Sequence, residues 1–152
     1  MYKIFLIIFL IILDLFVKQV IYRLIELNNF IKISSFLDLA HIHNFGIAFG
    51  LFSNLFPSWL FVIVASIVTI FLFILFIKSK KFLEKWGYIC ILAGGLSNIL
   101  DRAINGYVLD YIYLHYKEFY WPAFNFADVY ISIGLCILLI EIFRDLKIRN
   151  IK

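Results

Sequence analysis

Apolar residues fall in four long blocks along this chain, and polar residues gather between them. Ile4 to Leu13 is unbroken, and the pattern continues through Leu15, Phe16, Val17, Val20, Ile21 and Leu24. This predicts a first helix over about residues 4–26, long enough to cross a bilayer that needs about 20 residues. No small-x-small cleavage site follows the run, so it reads as an uncleaved span and not as a signal peptide. From Trp59 to Ile77 the only polar residues are Ser66 and Thr69. A second span over about 57–77 therefore faces lipid and carries no chemistry. A third is predicted over about 86–104 and a fourth over about 124–143.

The segments between the blocks have a different period. FIKIS and FLDLAHIH, within residues 27–56, alternate partly with period two and predict short strands. YVLDYIYLHY alternates as well: Tyr107, Leu109, Tyr111, Tyr113 and His115 share one face, and Val108, Asp110, Ile112, Leu114 and Tyr116 the other. Gly106 is expected to end the third helix. The predicted fold class is an integral membrane protein, mainly α, in one membrane domain over 1–152. Four transmembrane helices carry a small extracytoplasmic β-sheet or cradle built from loops 27–56 and 105–123.

Composition agrees with that pattern. Of 152 residues, 64% are hydrophobic and 20% aromatic, against about 45–50% apolar in a soluble domain. The net charge of +4 reports topology before it reports an anionic partner, and no nucleic-acid partner is expected. Lys3, Lys78, Lys80, Lys81, Lys85, Arg144, Lys147, Arg149 and Lys152 fall on one side. The opposite loops carry only Lys32 and Lys117. The positive-inside rule then predicts cytoplasmic termini, with both long loops outside. Trp59 and Trp121 mark the outer interface and Trp86 the inner one. Cys90 and Cys136 sit in different apolar runs without CxxC or CxxH neighbours and read as filler. His41 and His43 lie two apart on one strand face. No acidic ligand set surrounds them, so no metal site is expected.

Candidate chemistry concentrates between Gly94 and Asp128. Carboxylates and amides where a bilayer begins are costly unless used. Asn98, Asp101 and Arg102 are spaced to face one way near the outer end of the third span. Asp110 is a lone carboxylate on a mostly apolar strand face. Asn125 and Asp128 stand at i,i+3 in the first turn of the last span, where capping alone would explain Asp128. Two carboxylates at one site cannot both ionise easily, and such a pair can activate water and protonate a leaving group. Symmetry of the two Asn-x-x-Asp pairs would join Asp101 to Asp128. Asp101 adjoins Arg102, however, whose charge favours a permanently ionised, structural carboxylate, so the residues favour Asp110 with Asp128. In the first span Asp14 and Lys18 can pair across i,i+4. They serve either as a pair inside the bundle or as a polar contact to substrate or to the Asn/Asp stretch.

NFGIAFG, GGLSNILDR, GYVLDY and FNFAD, in that order, with Asp14 and Lys18 ahead of them, resemble the lipoprotein signal peptidase (signal peptidase II) family over essentially the whole chain. The resemblance implies a bacterial inner-membrane aspartic endopeptidase. Such an enzyme removes signal peptides from diacylglyceryl-modified prolipoproteins, on the amino side of the lipidated cysteine. It works without metal or cofactor, acts as a monomer at the extracytoplasmic face, contacts membrane lipid and binds globomycin-type inhibitors. Carried over by position, the catalytic pair is Asp110 and Asp128. The substrate- or inhibitor-binding and supporting set is Asp14, Lys18, Asn44, Gly46, Asn98, Asp101, Arg102 and Asn125. Two positions depart from the family pattern. Ser97 stands for the usual Gly, still small and so not expected to alter the site, and Tyr111 stands for the usual Phe. The rivals are a transporter or channel lined by Asp14, Asp101 and Asp128, and a structural scaffold.

Overall fold

The computed structural model describes residues 2–47, 50–53 and 55–149. Ala48 and Phe49 of the NFGIAFG motif and Lys152 of the basic tail lie outside the described residues. Four long helices and four strands follow in the order α1 (Tyr2–Leu24), β1 (Phe30–Lys32), β2 (Leu37–Asn44), α2 (Ser58–Lys78), α3 (Phe82–Asn105), β3 (Val108–Tyr116), β4 (Phe119–Tyr120) and α4 (Phe126–Arg149).

Among the described residues, three helices are long and apolar enough to cross a membrane: Tyr2–Leu24, Ser58–Lys78 and Phe126–Lys147. Three such helices suit a chain that passes a membrane more than once. Their large apolar side chains point outward, as on Phe5, Phe9, Ile67, Phe71 and Ile140. The solvent for such a surface is lipid. α2 is the extreme case, with Phe61 its only buried residue among those described.

α3 is the inverse. It carries Glu84, Lys85, Asp101 and Arg102, so composition alone does not qualify it as a span. It is also the packing centre, burying Ile89, Leu92, Ala93, Gly94, Ser97 and Asp101 among others. A helix enclosed by neighbours can hold polar groups, because their partners come from protein. α4 approaches it closely. A Cβ on Gly94 would stand 2.2 Å from the Ala127 carbonyl oxygen, and one on Gly134 would stand 2.5 Å from that of Gly87. Without side chains at these points the two backbones meet, which presses the first turn of α4 onto α3.

The strands form one antiparallel sheet in the order β1-β2-β3-β4. β2 pairs with β3 so that Ile42 faces Asp110 and Asn44 faces Val108, with an irregularity between Leu39 and Ile42. Gly106 ends α3 in the left-handed conformation at φ 81°, its N–H bonding to the Arg102 carbonyl; glycine takes that conformation without steric cost. The chain turns at once into β3. Alternation predicted one apolar and one mixed face, yet Val108, Leu109, Asp110 and Tyr111 are all buried. Both sides of this end are covered. Leu109 and Tyr111 pack with Ile21 and Ile25, while Val108 and Asp110 line a groove.

Candidate active site

Asn125 holds two carboxylates at once. Its Nδ2 donates to Asp110 Oδ1 at 2.7 Å, and its backbone N–H donates to Asp128 Oδ2 at 3.1 Å. In return its Oδ1 accepts from the Asp128 N–H at 3.0 Å. This is a reciprocal cap on α4, the Asn side chain and the Asp side chain each satisfying an orphan amide. Capping thus accounts for one oxygen of Asp128. The other, Oδ1, accepts from Asn98 Nδ2 at 2.9 Å, so α3 and α4 jointly orient the carboxylate.

Asp110 reaches the same place from β3. Its second oxygen accepts from Asn44 Nδ2 at 3.0 Å. Asn44 Oδ1 in turn accepts from the Gly46 N–H at 2.9 Å, which fixes which way the amide points. No cation pairs with Asp110 among the described residues. Burial, and next the nearby charge of Asp128, push its carboxyl up to about 7, against the opposing hydrogen bonds from Asn44 and Asn125.

Beneath the carboxylates lies a sealed polar layer. Lys18 Nζ donates to Asp14 Oδ2 at 2.9 Å, to Asp101 Oδ2 at 3.2 Å and to Asn98 Oδ1 at 2.9 Å. Asp14 is wholly buried and accepts from four groups: Lys18, Ser97 Oγ at 2.6 Å, the Ala127 N–H at 3.1 Å and the Tyr111 hydroxyl at 3.3 Å. It therefore joins α1, α3, β3 and α4. Tyr111 also accepts from the Phe126 N–H at 3.0 Å, another amide at the head of α4.

Three sequence expectations change. The cation beside Asp101 is Lys18 and not Arg102. Neighbours on a helix point about 100° apart, so Asp101 turns inward to Lys18, Asn105 and the Leu109 N–H. Arg102 turns to the groove, so the expected common face of Asn98, Asp101 and Arg102 does not form. Ser97 is not a neutral replacement for glycine, because it gives Asp14 a hydrogen bond. Tyr111 contributes more than an aromatic ring, since its hydroxyl reaches the same carboxylate. A buried carboxylate needs donors to satisfy it, and that need is the signal by which both could have been found.

The groove has a volume of about 630 Å³ and is lined by Asn44, Asn98, Arg102, Asp110, Asp128 and a long apolar set. Trp121, read from sequence only as an interface marker, and Ser132, not singled out there, also line it. It descends along α4 from Asp128 to Leu135, about 10 Å of helix. Arg102 donates to the Gly46 carbonyl and lies over the Phe61 ring at 5.7 Å, while its Nε has no hydrogen-bond partner among the described residues. Of the carboxylates a channel would use, Asp128 lines this groove, whereas Asp14 and Asp101 are locked on Lys18.

A family model described as signal peptidase (SPase) II matches residues 6–144. The lipoprotein signal peptidase of Thermodesulfovibrio yellowstonii is 41% identical over 149 residues, 97% of either chain. That of Dichelobacter nodosus is 39% identical over 113 residues, covering 72% of this chain and 73% of its own. A bacterial membrane enzyme solved by the in meso method at 2.3 Å superimposes with a TM-score of 0.87 at 27% identity, over 95% of this chain and 89% of that one.

Proposed function

The chain belongs to the signal peptidase II family, a family of peptidases, and from that premise we propose that it is an aspartic endopeptidase of the bacterial cytoplasmic membrane. It removes signal peptides from diacylglyceryl-modified prolipoproteins, cutting on the amino side of the lipidated cysteine. The observation that carries the catalytic type is the grip of Asn125 on both Asp110 and Asp128 at the head of an apolar groove.

The two carboxylates divide the work. Burial and the charge of Asp128 raise the Asp110 carboxyl to about 7, so the pair shares one proton, which in this reading rests on Asp110. Asp128 is the ionised partner, capping a helix start where negative charge is favoured. It takes a proton from water as the water oxygen attacks the scissile carbonyl carbon. Asp110 gives its proton to the carbonyl oxygen. In collapse, Asp128 passes its proton to the departing nitrogen, the C–N bond breaks, and Asp110 recovers its proton from the hydroxyl. The unpartnered Nε of Arg102 donates to a substrate carbonyl. Lipid-modified substrate enters sideways from the bilayer into the groove.

In this reading α3 is a fourth span, its polar residues sheltered by α1, α2 and α4. The distribution of Lys and Arg sets both termini in the cytoplasm and the carboxylates at the extracytoplasmic face. The chain works as a monomer, and globomycin-type peptides occupy the same groove. The test is cleavage of a diacylglyceryl-prolipoprotein by the purified chain in detergent. Asp110→Asn and Asp128→Asn are each expected to slow it by about a hundredfold or more. Cleavage at the unmutated rate by either variant would remove the dyad, and no cleavage by the unmutated chain would remove the peptidase.

A further inference from the structure

β2 carries a second pair of side chains that this chemistry does not use. His41 and His43 project from one face of the strand, and their Nε2 atoms are 2.9 Å apart. His41 Nδ1 lies 2.7 Å from the Ile25 carbonyl oxygen. A carbonyl only accepts, so in the neutral ring Nδ1 holds the proton and Nε2 presents a lone pair. The His43 ring lies flat on Tyr107, centroids 3.4 Å apart and planes 14° apart. Phe45 meets its edge at 6.2 Å, and Tyr22 meets His41 at 5.4 Å. Backbone and aromatic neighbours thus hold both rings.

The pair is separate from the carboxylates. His43 is in register with Leu109, which packs toward Ile21 and Ile25 of the first helix and the residues after it, whereas Ile42 is in register with Asp110. Neither histidine lines the groove.

Among the described residues no third His, Cys, Asp or Glu joins the pair; against the sequence reading that no metal binds here, we propose that the two rings alone form a two-nitrogen chelate for a divalent copper or nickel ion, on the sheet face turned away from Asp110. Metal–imidazole bonds are about 2.0–2.1 Å long. Two of them at a right angle separate the nitrogens by about 2.9 Å, the adjacent positions of a square-planar or octahedral ion, whereas a tetrahedral ion needs about 3.3 Å. In the empty pair a hydrogen bond sets this spacing, and it equals the right-angled separation, so the ion can replace the proton without the two nitrogens moving apart. The Ile25 carbonyl behind His41 is the outer partner that metal-bound imidazoles usually have. In the empty pair one N–H lies between the two Nε2 atoms. The ion takes its place as His43 moves its proton to Nδ1, with no net proton gained or lost, and water fills the remaining positions.

The test is Cu²⁺ titration of the untagged 152-residue chain in detergent, followed by electron paramagnetic resonance. One ion per chain is expected, with splitting from two imidazole nitrogens. His43→Phe keeps a flat ring on Tyr107 and is expected to weaken binding by about tenfold or more. His41→Gln is expected to do the same, and His115→Gln to leave binding unchanged. Absence of Cu²⁺ uptake by the unmutated chain, or unchanged affinity in His43→Phe, would overturn the assignment.

Discussion

Two lysines sit among carboxylates at the two ends of α3, and they show how differently one kind of cluster can serve a membrane protein. Lys81, just before α3, contacts Asp145, Glu84 and Glu141. Its side chain is 40% exposed. Lys18, at the other end, contacts Asp14, Asp101 and Asn98, and its side chain is 4% exposed. At that end water and salt screen Lys81 and Asp145, although Glu141 beside them is buried. At the buried end each group was stripped of water, and removing one strands the rest. The buried cluster also lies directly under the carboxylate pair, since Asn98 links Lys18 to Asp128. The exposed cluster fixes the α2–α3 turn to the end of α4, whereas the buried one sets geometry for chemistry.

Five changes test that contrast. The largest effect is expected at the carboxylates, where Asp110→Asn or Asp128→Asn should lower the cleavage rate by about 10²–10⁴-fold or more while the chain still folds. Second, Lys18→Met should cost about 3–5 kcal/mol, read as thermal unfolding in detergent, because Asp14 and Asp101 lose their cation in the interior. The double variant Lys18→Met/Asp14→Asn should recover part of this; full additivity would show that the two residues act independently.

Third, pH acts through Asp110. Its folded pKa, about 7, lies above the ordinary 3.8. Between those values the unfolded chain loses a proton that the folded chain keeps, so stability should fall as pH rises from about 4 to 7 and then level off. Asp110→Asn should therefore be more stable than the unmutated chain at pH 8 and close to it at pH 4. Cleavage should lose its proton donor as pH rises through about 7. Fourth, Asn125→Ala removes the cap and the bridge between the carboxylates. About 1 kcal/mol of stability should go with the cap, and a larger loss should appear in the cleavage rate. Last, Lys81→Gln should leave cleavage unchanged. Any shift in its melting temperature should be small and vanish in high salt. An effect as large as that of Lys18→Met would erase the distinction between the two clusters.

Much of this molecule is written locally. Apolar blocks mark α1, α2 and α4, period-two alternation marks β2 and β3, and Gly106 marks the end of α3. Asp110 and Asp128 were legible as a pair because one is a carboxylate on an apolar strand face and the other opens an apolar helix. The i,i+4 spacing of Asp14 and Lys18 announced their ion pair. These features follow from helical and strand periods, and periods are properties of neighbouring residues.

The tertiary structure alone decided the rest. It gave Asp101 to Lys18 and not to the adjacent Arg102, and it turned Ser97 and Tyr111 into donors for Asp14. It also showed that a helix too polar to qualify as a span by composition is the centre around which the others pack. Lys18 meets Asn98 across 80 positions of sequence, and Ser97 meets Asp14 across 83. No local period encodes such distances. They are fixed by how closely α4 can approach α3 at Gly94, and by the need of every buried charge to find a partner once water is gone.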